Sequence, residues 1–371
     1  MQKKTLCSRR EFIASAAMAA AGCAASRAPL AGFVAPGEIR AFLLHLGHNM
    51  WCDWFPPDVD LAAVKAALPP KGGHPFPDTE LRSRDDLWRR ATDHIAAKGM
   101  NMIVVDLGEG LVYPSHPELA VKGSWTPEKM RAEIARLNAL GVEVVPKLNF
   151  STTHNGWLKH YRRMLSTPTY YRVCEDLIAD VADIFGHPRL LHIGCDEETA
   201  RHQDGSGRCL YVAVRKGEFW MHDFLHIVGT TERNGMRAWA WSDYGWDHPE
   251  FYERCPKSVL MSNWYYDESH GGFDLATNKT ADQKRLKGFY DLEKAGFEQI
   301  PCGTNWAGWK RAELKVGADD VIGRLVELCR RDIPAPRLRG FMMAPWASCD
   351  TEANLMKNIR GADLFAAALN A

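Results

Sequence analysis

The chain has 371 residues, of which 46% are hydrophobic and 25% are charged. This composition is typical of a globular protein, and the length permits one large domain or two smaller ones. The 46 basic and 46 acidic residues cancel to a net charge of zero. No basic face is indicated, so nucleic acid is excluded as the expected partner.

Residues 1–22 have the pattern of an export signal. A pair of arginines in the sequence SRREFI precedes a short apolar run and then small residues, and this run is too short to cross a membrane as a helix. The arginine pair resembles a twin-arginine signal. The sequence AAGC resembles a bacterial lipobox with Cys23 as the lipidated residue, whereas cleavage at a nearby small residue would release a free product. We therefore expect an exported protein, periplasmic or on the outer surface, in which residues 23–38 form a linker and Cys23 is a possible lipid anchor.

Eight short apolar segments follow this leader. Each is almost continuously apolar instead of alternating, which is typical of strands that are buried on both faces. The segments span residues 41–47, 100–108, 142–150, 190–196, 236–243, 258–266, 297–306 and 340–347.

Amphipathic helical patterns separate the apolar segments. The first pattern places Leu87, Ala91 and Ile95 on one face and ends at Gly99. A later pattern begins with Thr126 as its N-cap residue. Further patterns of this kind follow the later segments, so strand and helix alternate along the chain.

This alternation predicts an α/β fold, a (β/α)8 TIM barrel that forms a single domain over residues 39–371. A doubly wound open sheet is the alternative, and it is disfavoured because no Gly-rich phosphate loop follows the first strand. The longest insertions, 51–80 and 266–290, both follow strands. They are therefore expected at the face where barrel enzymes carry their active sites.

Acidic and aromatic residues collect at the carboxyl ends of the predicted strands, whereas Lys and Arg are nearly absent there. Aromatic faces stack on sugar rings and carboxylates carry out acid–base chemistry, so the set predicts a carbohydrate site and disfavours a phosphate site. Its members are Asp106, Glu109, Asn149, His154, Trp157, Asp196, Glu197, Trp241, Asp243, Trp264, Tyr265, Asp267, Asn305, Trp306 and Trp346.

No metal or other cofactor is expected. His45, His48 and Asp53 follow the first strand closely, but their spacing fits no standard metal site. The functional interpretation of the two histidines is that they bind sugar hydroxyl groups.

A specific resemblance rests on the sequence HIGCDE, residues 192–197. It resembles the H-x-G-G-D-E motif of glycoside hydrolase family 20, the β-N-acetylhexosaminidases, where the motif also ends the fourth barrel strand. WYYDE at 264–268 is similar to the Y-x-D element of that family, and APWA at 344–347 to its last-strand Trp. The resemblance covers roughly residues 85–350.

The resemblance implies substrate-assisted hydrolysis, in which the 2-acetamido oxygen of the sugar attacks C1 and no enzyme nucleophile is used. Glu197 would be the general acid and then the base for water, and Asp196 would orient the acetamido group. The two carboxylates need different protonation states, which mutual repulsion can provide. Tyr265 would donate a hydrogen bond to the acetamido oxygen. Further substrate-binding residues would be Trp241, Trp346, Trp264, Trp306, Asp267, His154 and Glu109, with His154 and an acid at 106 or 109 as a supporting pair.

The chain also departs from the family pattern. Cys195 stands where the motif has Gly, and the first strand lacks the Arg that grips the sugar hydroxyls in the family. Tyr265 closes strand six here, whereas the family Tyr comes from strand seven, so Asn305 and Trp306 are the alternative for its role. Glu198 is interpreted as a charge at a helix start.

Two alternatives to this function remain open. One is a glycosidase of different sugar specificity that uses a direct two-carboxylate mechanism, with Glu197 and either Asp267 or Asp243. The other is a non-catalytic, carbohydrate-binding lipoprotein. The sequence does not indicate the sugar, the linkage or the oligomeric state.

Overall fold

The structure is a computed structural model that describes residues 37–67, 76–204, 209–266, 281–306 and 321–371. The predicted export signal, Cys23 and most of the linker lie outside the described residues, and so does Asp267. Within the described ranges, no helix is both long and apolar enough to cross a bilayer.

Eight parallel strands form one sheet, in the order β6-β5-β4-β3-β2-β1-β8-β7. Backbone bridges between Met261 and Gln299 and between Trp264 and Cys302 join the two ends of this order and close the barrel. The strands are β1 Ile39–His45, β2 Met102–Asp106, β3 Glu143–Lys147, β4 Leu190–Gly194, β5 Arg237–Trp241, β6 Leu260–Ser262, β7 Cys302–Gly303 and β8 Gly340–Met343. The predicted (β/α)8 barrel is confirmed, and each strand lies within or beside its predicted segment.

Helices surround the barrel. Those described are α1 Leu61–Ala67, α2 Asp85–Ala97, α3 Pro127–Ala139, α4 Pro168–Ile184, α5 Ala200–Asp204, α6 Glu218–Arg233, α7 Glu250–Arg254, α8 Ala281–Ala295, α9 Val321–Asp332 and α10 Glu352–Asn370. Short 3-10 segments follow β1 at Asn49–Trp51, β2 at Gly108–Gly110, β3 at Gly156–Arg163 and β5 at Asp243–Trp246.

Capping residues start several helices where the sequence predicts them. Thr126 accepts a hydrogen bond from the backbone N–H of Lys129, and Thr351 from that of Asn354. Thr167 caps α4 in the same way. These caps satisfy backbone donors at the first turns of the helices, so the helix starts are set by local sequence.

The core has two layers, as expected for a barrel. One apolar cluster lies inside the barrel and includes Leu43, Val104, Trp239 and Trp241. A larger cluster fills the space between the strands and the surrounding helices. Because strand side chains alternate, each strand contributes to both layers.

The carboxyl end of the barrel interior is polar instead of apolar. His45, Asp106, Lys147 and His192 lie in register across β1, β2, β3 and β4, and all four are buried. The Lys147 ammonium group pairs with the Asp106 carboxylate. This buried polar layer lies directly below the loops that carry the predicted catalytic residues.

Candidate active site

The turn that follows β4 has an unusual backbone. Gly194 has a φ of 71°, Cys195 a φ of 73° and Glu197 a φ of 55°. A Cβ atom at Gly194 would lie 2.1 Å from Asn149 Oδ1, so only glycine fits there. Cys195, where the family motif has Gly, adopts the left-handed conformation despite its side chain, which is disfavoured for a non-glycine residue. The turn therefore needs support from its surroundings.

Side chains from the neighbouring loops provide this support. Ser151 donates its hydroxyl hydrogen bond to the carbonyl of Asp196, and Thr153 donates to the carbonyl of Glu197 over 2.7 Å. On the other side, Asp243 Oδ2 accepts a hydrogen bond of 2.7 Å from the backbone N–H of Glu197. Both peptide groups that flank Glu197 are thus held by side chains that follow β3 and β5.

Asp196 is buried and held in the ionised form. Its Oδ1 accepts a hydrogen bond of 2.8 Å from Asn149 Nδ2 and lies 3.2 Å from His154 Nδ1. Burial raises the pKa of Asp196, but the charges of His154 and Lys147 and the contacts with His154 and Asn149 outweigh it and hold that pKa well below its ordinary value. Both of these contacts involve Oδ1.

His154 connects the two acids of the motif. Its Nδ1 lies near Asp196, and its Nε2 lies 3.6 Å from Glu197 Oε2. Burial lowers the pKa of His154, but the negative charges of Asp196 and Glu197 outweigh it and raise the pKa above the ordinary value. Trp51, which follows β1, contacts the His154 ring edge-on at 6.3 Å. The structure therefore places His154 in the predicted site.

Glu197 is the accessible acid of the turn. Its side chain is 29% exposed, whereas that of Asp196 is 10% exposed. Glu197 Oε1 lies 3.5 Å from Nε2 of His202 on α5. The structure thus brings Asp196, Glu197 and His154 together, with Glu197 closest to solvent.

Glu198 is not a charge at a helix start, as the sequence had suggested. It is buried, and its two oxygens form a bidentate ion pair with Arg215, at 2.7 Å from Nε and 2.7 Å from Nη2. Arg215 also binds Asp223 at 2.8 Å. Helix α5 begins only at Ala200, so Glu198 has a structural role in fixing the loop that follows β4.

Aromatic residues form the opposite wall of the barrel mouth. Trp241 and Trp264 belong to the interior cluster, and Tyr266 and Trp346 pack against it. The ring centroids of Trp241 and Trp346 are 6.1 Å apart, and those of Trp264 and Tyr266 are 4.9 Å apart in a stacked arrangement. Trp246, which the sequence analysis did not select, packs edge-on against Trp264 at 4.7 Å. We call Trp241, Trp264, Tyr266 and Trp346 the aromatic wall.

Tyr265 does not face the barrel mouth. It is fully buried in the outer cluster between strands and helices, whereas its neighbour Tyr266 faces the mouth. Burial, then the Cys302 thiol and the charge of Glu197 raise the pKa of Tyr266 well above its ordinary value. Because strand side chains alternate, Trp264 and Tyr266 share a face, and this parity was the signal in the sequence that favoured Tyr266.

The strand count at this point is also confirmed, since Tyr265 and Tyr266 do follow β6. Asn305 does not take over the role of a site tyrosine, because its Nδ2 donates to the carbonyl of Lys357 in α10. Trp306 follows β7 and is 44% exposed. Neither residue joins the aromatic wall in the described structure.

Glu109 is engaged by backbone groups. It is buried, and its Oε1 accepts hydrogen bonds from the backbone N–H groups of His48 at 2.6 Å and Asn49 at 3.0 Å. Burial raises the pKa of Glu109 to about 6, against these hydrogen bonds, which lower it. Its role is to join the segment after β2 to the segment after β1, and the acid beside the site is Asp106.

The histidines after β1 do not assemble with Asp53. Asp53 forms a buried ion pair with Arg162, and its Oδ2 accepts from the backbone N–H of Leu210 at 2.6 Å. Within the described ranges, no group of three or more His, Cys, Asp or Glu residues could hold a metal ion.

Buried polar atoms without a hydrogen-bond partner among the described residues concentrate at this end of the barrel. Such atoms are rare in proteins, and each one marks a place where a water molecule or a ligand is expected. Those nearest the site are both ring nitrogens of His45, His48 Nε2, Asp106 Oδ1, His154 Nδ1, His192 Nε2, Trp241 Nε1 and Asp243 Oδ1.

Comparison with known proteins supports the fold. No protein-family model and no curated sequence matches the chain. Among solved structures, the β-N-acetylhexosaminidase from Bacteroides fragilis superposes with a TM-score of 0.56 at 11% identity, over 88% of this chain and 65% of that chain. A Streptomyces plicatus β-hexosaminidase in complex with the product GlcNAc gives 0.55 at 14% identity, over 88% and 63%. The family 20 enzyme from Streptomyces coelicolor A3(2) gives 0.53 at 13% identity, over 87% and 64%.

These values confirm that the fold resembles that of glycoside hydrolase family 20 over most of the chain. At such low identity, the likeness establishes the barrel fold alone. The chain also spans less than two thirds of the length of each of these solved proteins.

Proposed function

We propose that the chain is an exported glycoside hydrolase that cleaves terminal β-linked 2-acetamido-hexosides by substrate-assisted catalysis. The observation that carries the proposal is the joint placement of Asp196, His154 and Glu197 at the carboxyl end of the barrel, facing an aromatic wall. The fold shared with β-N-acetylhexosaminidases supports the same class of reaction.

The two acids suit different roles. Asp196 is held ionised, and its contacts with Asn149 and His154 use Oδ1, which leaves Oδ2 to accept the N–H of an acetamido group. A fixed negative charge there would stabilise the positive charge of the oxazolinium intermediate. Glu197, more exposed and next to His154, would protonate the leaving oxygen and then accept a proton from water.

Tyr266 takes the role that the sequence analysis assigned to Tyr265. Tyr266 packs against the interior cluster beside Trp264, and from there it would donate a hydrogen bond to the acetamido oxygen. Trp241 and Trp346 would pack against the apolar face of the sugar and the acetamido methyl group. Binding of the sugar and its acetamido group would therefore depend on the aromatic wall.

The direct two-carboxylate mechanism finds less support. Burial and the charge of Asp196 raise the pKa of Asp243 to about 8, so Asp243 is neutral near neutral pH and is a poor nucleophile or base. Asp267, the other candidate partner, lies outside the described residues. Export and the lipid anchor remain predictions from the sequence.

The test is a panel of chromogenic β-glycosides, with and without a 2-acetamido group, assayed with the wild type and with Glu197→Gln. We expect hydrolysis of the 2-acetamido substrates only, and a kcat/KM about 10²- to 10⁴-fold lower for Glu197→Gln. Cleavage of plain hexosides but not of 2-acetamido sugars would overturn the substrate-assisted mechanism. Full activity of Glu197→Gln would overturn the assignment of the acid.

A further inference from the structure

Asp243 is a third carboxylic acid at the site, and the proposed mechanism gives it no chemical step. It follows β5 and begins the 3-10 segment Asp243–Trp246. Its Oδ2 accepts the backbone N–H of Glu197 at 2.7 Å, and its Oδ1 is buried without a hydrogen-bond partner in the described part of the chain. The backbone of the proposed general acid, Glu197, therefore engages one oxygen of Asp243 and leaves the other without a partner.

The surroundings of Asp243 differ from those of Asp196 in one respect. Asp196 has the cations His154 and Lys147 near it, whereas no basic side chain contacts Asp243 within the described ranges. Asp243 is half-buried with a buried Oδ1, and the charge of Asp196 raises the cost of ionising Asp243 unless a cation compensates it.

Acidic groups from the turn after β4 and from α7 interact with Asp243. These groups are Asp196, Glu197 and the Cys195 thiol from the turn after β4, and the Tyr252 hydroxyl from α7. The nearest cations on α8 are engaged elsewhere, since Lys284 pairs with Asp247 and Arg285 stacks on Trp246 and Trp264. The local charge therefore favours a proton on Asp243.

The backbone conformation of Glu197 indicates a structural role for Asp243. A residue with a φ of 55° is held in a conformation that non-glycine residues disfavour, so the surrounding contacts have to maintain it. Thr153 holds the carbonyl of Glu197, and Asp243 holds its N–H. The direction of the Glu197 carboxyl group depends on both contacts.

We propose that Asp243 holds a proton on Oδ1 and fixes the backbone of Glu197 through Oδ2, so that it acts as a neutral positioning residue for the adjacent general acid. A neutral acid supplies the required acceptor without adding a third negative charge beside Asp196 and Glu197. The raised pKa of Asp243, about 8, agrees with this assignment. The inference rests on the proposed function of Glu197.

Two substitutions separate the acceptor from the charge. Asp243→Asn keeps an oxygen that can accept the Glu197 N–H and cannot ionise, whereas Asp243→Ala removes the acceptor. We expect Asp243→Asn to keep kcat within about threefold of the wild type, and Asp243→Ala to lower kcat about 10²-fold with little change in KM, since the acid is misdirected. A kcat as low in Asp243→Asn as in Asp243→Ala would overturn the proposal, and so would wild-type kcat in Asp243→Ala.

Two measurements on the substrate-free protein decide the same question independently of hydrolysis. At about pH 7, the infrared carbonyl band of protonated carboxyl groups should be stronger in the wild type than in Asp243→Asn. Asp243 is protonated there, whereas any contribution from Glu109, whose pKa is about 6, is common to both proteins and cancels in the difference spectrum. Amide hydrogen exchange at Glu197 should be faster in Asp243→Ala than in the wild type and in Asp243→Asn. Equal carbonyl bands in the wild type and in Asp243→Asn, or equal exchange in all three proteins, would overturn the proposal. Failure to cleave any glycoside would instead overturn the proposed function. The infrared band and the amide exchange would still decide whether Asp243 is protonated and holds the Glu197 backbone.

Discussion

The two halves of the barrel mouth are built on different principles. The half that follows β3 and β4 is polar, and its groups are paired: Asn149, Ser151 and Thr153 hold the turn, and His154 joins Asp196 to Glu197. The half that follows β5, β6 and β8 consists of the aromatic wall. The polar half fixes the direction and charge of Asp196 and Glu197, whereas the aromatic half presents an apolar surface with few polar contacts. The proposed catalytic groups and the proposed sugar-binding surface thus lie on different halves of the mouth.

The largest expected effect is on the free energy of unfolding, and it comes from the ion pairs of Arg215 that support the polar half. Arg215→Met leaves Glu198 and Asp223 as buried carboxylates without their cation, so we expect the free energy of unfolding to fall by about 3–5 kcal/mol. Glu197→Gln is the matched control, since it changes a partly exposed carboxylate and should alter stability by less than about 1 kcal/mol. Denaturant unfolding measures both. Equal losses in the two variants would show that the ion pair does not support the loop.

A second substitution tests the chemistry of the polar half. Asp196→Asn preserves the shape of the side chain but removes the fixed negative charge, and we expect kcat/KM to fall about 10²- to 10³-fold. Since the charge of Asp196 also helps to raise the pKa of His154, that pKa should fall in the variant, which NMR titration of the imidazole would measure. An unchanged His154 pKa would contradict the contact between the two side chains.

The aromatic half is tested by a pair of neighbouring tyrosines. Tyr266→Phe removes a hydroxyl group at the mouth and should lower kcat/KM about tenfold, the equivalent of one good hydrogen bond. Tyr265→Phe is the control, because Tyr265 lies in the outer cluster and its loss should leave kcat/KM within about twofold. The opposite order of effects would restore Tyr265 as the site residue.

A further expected effect is a pH dependence of stability at the boundary of the two halves. The pKa of Asp243 is raised to about 8, above the value of about 3.9 for an unfolded Asp, so the folded state binds the extra proton between these limits. Stability therefore falls as the pH rises through this window. Asp243→Asn removes this loss, and its unfolding free energy should exceed that of the wild type by at least about 1 kcal/mol at about pH 8 and by much less at about pH 4. A stability difference that does not grow with pH would show that Asp243 is ionised in the folded protein.

Much of the site was predictable because its signals are local. The sequence HIGCDE places Asp196 and Glu197 at the end of a buried strand, and barrel topology brings strand ends together. The wrong predictions concern acids whose side chains could face either the barrel mouth or a neighbouring segment of the protein. Glu109 and Glu198 are both acids near strand ends, but each is buried against partners that are distant in sequence, namely the backbone of residues 48–49 and Arg215.

The sequence by itself determined the barrel, its eight strands and the order in which acids and aromatic residues reach its mouth. Periodicity and helix caps depend on neighbours along the chain, so they can be read from it. Only the tertiary structure decided which carboxylate is charged. Asp196 and Asp243 are acids that follow neighbouring strands, the first buried and the second half-buried, yet one lies beside His154 and Lys147 and the other beside two carboxylates. Protonation in a buried site depends on charges that distant segments bring close, and no local pattern contains that information.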